Sequence, residues 1–138
     1  MNDVLADTHS VVWFLFDPQR LSTLADSALG VAAQTGRIFI SAISLVELNY
    51  LAGRASFPYS GVIPRLIGLA SDPNEPLDIL PLTLEVALAM DQVPRSEIAD
   101  MPDRIVAATA VAHKLPLVSA DSHILASSSL RALVSVIW

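Results

Sequence analysis

At 138 residues the chain suits one ordinary domain rather than two, so any active site must be assembled from distant parts of a single core. Apolar residues make up 53% of it and the mean hydropathy is +0.55, yet the densest early apolar run, 11–16, falls far short of the roughly 20 residues of a membrane span. The absence of cysteine excludes disulfides and thiolate metal sites, and a net charge of −6 is the wrong sign for holding nucleic acid by counterion release alone.

The opening Met1-Asn2-Asp3 has no basic stretch before an apolar one and does not read as a signal peptide, so a cytoplasmic location is expected. Residues 3–6 read as a buried strand running into a helix over 11–16, which leaves Asp7 at the strand's C-terminal end. Asp17-Pro18 breaks that helix. Ser22 caps a second, with Leu24, Ala28, Leu29 and Ala32 at helical spacing before Gly36 stops it. A strand over 37–41, a helix over 44–53, a break at 57–61 and a helix over 62–70 with Pro64 near its start come next. After a loop at 73–76, a strand over 77–82 leads to a helix over 83–92 capped by Thr83. A polar stretch, 95–102, precedes an alanine-rich helix over 103–113, a strand over 115–119, a short helix over 121–126 and a last strand over 133–138. This alternation predicts an α/β fold with a mostly parallel sheet.

In an open parallel sheet, ligands bind beyond the carboxyl ends of the strands, and both Asp7 and Asp121 fall just past predicted strands. Asp103 opens a helix and Glu47 lies early in another, so four acids are expected to converge on one crevice. Carboxylates so placed repel unless protonated or neutralised, and Mg²⁺ or Mn²⁺, which take oxygen ligands, would neutralise them. Such a site can activate water and stabilise a phosphoryl group during in-line displacement, and its bound cations would also offset the acidic net charge toward nucleic acid. Each residue has a plainer reading too. Ser44 to Glu47 is a capping-box pattern, and acids at helix starts suit the helix dipole wherever they occur. Only Asp7, between an apolar strand and an apolar helix, leans functional by itself. His9, His113 and His123 share no metal-ligand spacing. Trp13, Phe14 and Phe16 suit packing or a subunit contact, and Arg104, beside Asp103, is the nearest arginine for RNA or for a surface ion pair.

Taken together, Leu5-Ala6-Asp7-Thr8-His9, the run Ile40 to Leu48, the run Pro102 to Ala110 and the run Leu115 to Asp121 resemble, in order and spacing over nearly the whole chain, the PIN-domain toxins of VapC type. The resemblance implies a three-layer α/β/α fold in a single domain and a Mg²⁺- or Mn²⁺-dependent endoribonuclease that restrains growth by cutting RNA. It implies a small antitoxin as partner, encoded beside the toxin, and a homodimer, for which the helix over 11–16 is a candidate surface. Asp7 and Asp103 match the family's principal metal ligands, Glu47 its helix-borne acid and Asp121 its fourth acid. Ser119 stands where the family often has Thr and is suited to orient a carboxylate or a bound water. Asp100 matches a frequently acidic position but also reads as a solvated loop acid. The chain departs from the pattern where Ser96, Glu97, Ile98 and Ala99 stand in place of an expected His, and Pro102 is one place late; these departures bear on substrate choice more than on metal binding. Two other readings are a catalytically silent PIN-like module that only binds a partner, and a phospho-receiver domain, which would need paired acids after the first strand and a strand-end Lys.

Overall fold

In the computed structural model, which describes residues 2–138, strand β1 (Val4–Ala6) lies at the centre of a five-stranded sheet. Beside it run β2 (Ile38–Ser41) and β4 (Leu117–Val118), with β3 (Leu77–Leu80) and β5 (Val136–Ile137) at the edges. The order is β3-β2-β1-β4-β5 and every pairing is parallel. The doubly wound phospho-receiver order is 2-1-3-4-5, so this topology removes that rival.

The helices are α1 (Thr8–Phe16), α2 (Thr23–Thr35), α3 (Ala42–Ala52), α4 (Val62–Ser71), α5 (Leu84–Ala89), α6 (Met101–His113), α7 (Ser122–Ala126) and α8 (Ser128–Arg131). Side chains alternate across a strand, and β1 divides its three residues accordingly. Val4 and Ala6 join the core beneath α1, α2 and α4 together with Ile38 and Ile40, while Leu5 joins Val106, Ala107, Ala110 and Leu117 in the core beneath α5 and α6. The result is three layers. Buried on both faces, β1 has no polar residue, as parallel strands seldom do. No helix among the described residues is long and apolar enough to cross a membrane.

Several boundaries differ from those the sequence predicts. Helix α1 begins at Thr8, not 11, because Asp7 caps it. Helix α3 begins at Ala42 with Ser41 as its cap, so Ser44 to Glu47 is no capping box; Ser44 is buried inside the helix. Helix α6 begins at Met101, capped by Asp100, which is therefore a structural acid and not merely a solvated one. The strands predicted over 115–119 and 133–138 shrink to two residues each, and Ser128–Arg131 forms an additional short helix. The helix proposed as a dimer surface spends Val11 and Val12 on the chain's own core, and Trp13 to Phe16 pack half-buried against it.

Candidate active site

Register brings the site together. Ala6 pairs with Ile40 on one side and Val118 on the other, so the chain leaves β1, β2 and β4 at one level, at Asp7, Ser41 and Ser119. The first turns of α1, α3, α6 and α7 rise from this edge. Asp7, Glu47, Asp103 and Asp121 all line one open pocket of about 340 Å³, together with Asp100, Thr8, His9 and Trp13. The edge predicted for the four acids is thus the edge they share, and Asp100 makes a fifth.

Asp7 is 7% exposed and is the most enclosed of them. As the N-cap of α1 it accepts the Ser10 N–H at 2.9 Å through Oδ1, while the Ser119 hydroxyl donates to Oδ2. Burial pushes its proton affinity up and these hydrogen bonds partly offset the rise. The hydroxyl of Ser119 also accepts the Asp121 N–H at 3.1 Å, so a single buried oxygen joins two of the acids. Glu47, on the second turn of α3, accepts from Thr8 Oγ1 at 2.6 Å, and the Ser44 hydroxyl lies 2.8 Å from that same Thr8 oxygen. Thr8 has one proton to give; it donates to the carboxylate and takes the Ser44 proton. Burial raises Glu47 above its ordinary range, Thr8 opposes this, and the neighbouring Asp100 and Asp7 add to it.

Asp103 stands at the third position of α6, where its own N–H donates to Asp100 Oδ1 at 3.1 Å. It is pushed from 3.8 to about 7, first by burial and then by the charges of Asp121, Asp100, Glu47 and Asp7. Asp121 caps α7, accepting the N–H groups of His123 and Ile124 at 3.0 Å each. For Asp103, burial comes first and the like charges that share the pocket add to it.

The donor set suits a hard divalent cation. Its five acids offer carboxylate oxygens, and their mutual repulsion is what such an ion would relieve. The acids line a common hollow without closing on one point, and no group of three or more His, Asp or Glu among the described residues is drawn tightly enough to grip an ion as it stands. A larger hollow of about 730 Å³, between Leu24, Val31, Ile137 and Trp138, contains none of Asp7, Glu47, Asp100, Asp103, Asp121 and Ser119.

Two expectations about other residues change. Arg104 does not face the pocket; its guanidinium donates to the carbonyls of Val93 at 2.7 Å and Met90 at 2.8 Å, tying the preceding loop to α6. His9, which shares no metal-ligand spacing with the other histidines, and Trp13, read as a packing or subunit-contact residue, line the pocket with ring centroids 5.6 Å apart. The hydroxyls of Thr8 and Ser44 escape a sequence reading, because nothing but adjacency to Asp7 marks the first and a core position hides the second. Asp100 had a legible signal. An acid followed by Pro102 at the second helical position and Asp103 at the third is an N-terminal pattern.

A family model described as PIN domain matches residues 4–127. The chain is 34% identical over 121 residues to Ribonuclease VapC22 of Mycobacterium tuberculosis, covering 88% of each protein. Among solved structures it resembles VapBC2 from Rickettsia felis bound to a promoter DNA fragment, with a TM-score of 0.67, 17% identity and coverage of 97% and 96% of the two chains. DNA-bound VapBC from Salmonella typhimurium gives a TM-score of 0.65 at 20% identity, with 99% and 97% covered. At these identities the structural likeness speaks for the fold.

Proposed function

The chain belongs to the PIN-domain family, and from that premise we propose that it is a Mg²⁺- or Mn²⁺-dependent endoribonuclease, the toxin of a type II toxin-antitoxin pair. It acts in the cytoplasm as a single PIN domain, as a homodimer, and is silenced by an antitoxin. The observation that carries the catalytic reading is the convergence of Asp7, Glu47, Asp103 and Asp121 on one pocket at the C-terminal edge of the sheet. The 34% identity to a protein named as a ribonuclease supports the choice of RNA phosphodiester bonds as substrate.

A divalent cation held by these four acids would polarise the phosphoryl oxygens and lower the proton affinity of a bound water. The protein's own part is orientation. Ser119 and the Ser10 N–H hold both oxygens of Asp7, and Thr8 holds one oxygen of Glu47, so these two acids cannot turn freely. Asp103, with its proton held up to about 7, must release that proton to serve as a ligand, which ties cation uptake to pH. Toward the antitoxin, the same pocket offers carboxylate acceptors for a guanidinium, and an arginine inserted there would stand where the cation belongs.

Cleavage of RNA by the purified chain, with and without Mn²⁺ or Mg²⁺, is the direct test. Cutting should require the cation, stop in excess EDTA and vanish in Asp7→Asn. Full activity in EDTA would end the metal mechanism, and metal-dependent cutting that survives Asp7→Asn would move the site elsewhere. For the antitoxin, replacing its arginines one by one should release cleavage at a single position, and excess Mn²⁺ should compete with it.

A further inference from the structure

Beside the acidic pocket lies a second hollow of about 260 Å³, lined by Ile98, Ala99, Asp100, Asp103 and His123. It shares Asp100 and Asp103 with the first pocket, so whatever occupies it adjoins the acids directly. Its two walls come from distant parts of the chain, the loop before α6 and the first turn of α7, and a separate contact holds them at a set distance. Glu97 Oε1 accepts from Ser127 Oγ at 2.8 Å and from the Ser129 N–H at 3.0 Å, and Oε2 accepts from Ser129 Oγ at 2.5 Å. These bonds hold Glu97 as a carboxylate, below its ordinary range. On the other side of the loop, Ile98 is fully buried and its N–H donates to the Pro94 carbonyl, which closes a tight turn. The loop is therefore fastened at Glu97 and Ile98, and the exposed Ala99 and Asp100 lead from there into α6.

We infer that this hollow receives the nucleobase next to the scissile phosphate, and that it prefers a base carrying an exocyclic amine; the inference rests on the nuclease reading above. Its size lies below the roughly 300–1,000 Å³ of drug-sized sites and suits one ring system. A phosphate is disfavoured by two carboxylates in the wall. A base has the opposite fit: Ile98 and Ala99 offer an apolar floor, and the exposed His123 imidazole offers a face for stacking. Asp100 spends Oδ1 on capping α6, which leaves Oδ2 to accept from an amine of adenine, cytosine or guanine. Uracil presents no such donor.

The test uses the full chain with Mg²⁺ and short RNA oligomers in which each nucleotide flanking the cut is made abasic in turn. Wild type should lose roughly 10-fold in kcat/KM at one flanking position, the scale of a single base stack. Ala99→Phe, at an exposed position where the extra ring fills the hollow, should cut the intact oligomer about as poorly and lose nothing further on the abasic one. Abasic substitution without effect at either flank, or wild-type rates in Ala99→Phe, overturns the inference. A second measurement does not depend on cleavage: methyl resonances of Ile98 and Ala99 should shift with adenosine or cytidine monophosphate and not with uridine monophosphate. Shifts of that pattern in a chain that cuts no RNA would sink the nuclease reading and keep the base site. Cleavage with no such shifts would sink the base site alone.

Discussion

The Ser119 hydroxyl donates to Asp7 Oδ2 across 112 residues of sequence, and the same oxygen accepts the Asp121 N–H at 3.1 Å. Two acids from opposite ends of the chain are thus set relative to one another by one buried atom. Removing it in Ser119→Ala frees an oxygen of Asp7, deprives the Asp121 N–H of its acceptor and raises Asp7's proton affinity further. Groups that orient metal ligands contribute about 10- to 100-fold in affinity. Titration calorimetry with Mn²⁺ should therefore find binding weakened by at least about 10-fold in Ser119→Ala and largely restored in Ser119→Thr, which keeps the hydroxyl. Equal affinity in all three proteins would leave Ser119 as a strand-end residue with no hold on the metal.

Thr8 provides a second case, with a different readout. Its hydroxyl donates to Glu47 and accepts from the buried Ser44, so Thr8→Val keeps the shape and removes both bonds. The Thr8 hydrogen bond lowers Glu47's proton affinity, so its loss should move the acidic limb of the pH-rate profile toward higher pH. Thr8→Ser should return the limb to its original place. A lower plateau with an unmoved limb would instead mean that Thr8 acts only on folding, through the unsatisfied Ser44, a cost of about 1–3 kcal/mol.

The sequence carried the acids and the sheet because both follow short rules. Asp7 and Asp121 sit where apolar runs end, and β1, β2 and β3 are bounded by polar or proline-containing breaks. The misreadings cluster at helix starts. Ser41 and Ser44 are both competent caps, and choosing between them requires knowing that Ser44 faces Thr8 across the core. Asp7 and Asp100 look like site or loop acids until the helix behind each is seen to need its oxygen. Arg104 adjoins Asp103 in sequence but points away, because helix geometry separates consecutive residues by about 100°, and the carbonyls of Met90 and Val93 claim its guanidinium. The Glu97 clamp had no visible precursor, since its serines lie 30 and 32 residues on.

Gly36 offers a test of the fold away from the site. A methyl group there would stand 2.6 Å from the Asn2 carbonyl carbon and 2.7 Å from its oxygen, with Asp3 Oδ1 at 2.9 Å. Backbone atoms cannot swing aside as a flexible side chain can. Asp3 Oδ1 also accepts the Arg37 N–H at 2.9 Å, so the close approach is part of how β2 starts beside β1. Gly36→Ala should cost about 1–3 kcal/mol, read as an earlier urea midpoint with an unchanged slope. Cleavage per folded molecule should be unaltered, because the contact lies at the opposite end of the strands from Asp7. A midpoint equal to that of wild type would show that the start of β1 relaxes freely.

Asp103 ties stability to pH in a direction opposite to that of most carboxylates. Unfolded, it titrates near 3.8; folded, near 7. As pH rises through that window the unfolded chain gives up a proton that the folded chain retains, so stability declines from about pH 4 and is lowest above pH 7. Asp7 and Glu47 are raised too and act in the same sense. Glu85 and Glu97 are lowered, and their stabilising contribution is complete once pH exceeds the ordinary Glu value of 4.5. Between pH 5 and 8, then, the raised carboxyls govern the slope. Because Asp103 is half open to water, solvent screening reduces the effect from what a buried group would give. In EDTA, the Tm should fall by several degrees from pH 5 to pH 8, and Asp103→Asn should remove much of that fall by taking away one charge and easing its neighbours. Mg²⁺ at pH 8 should raise the wild-type Tm and do little at pH 5, where the proton already occupies Asp103. If the metal-free Tm rises from pH 5 to 8, or Asp103→Asn keeps the full slope, the like charges in this pocket are not what limits stability.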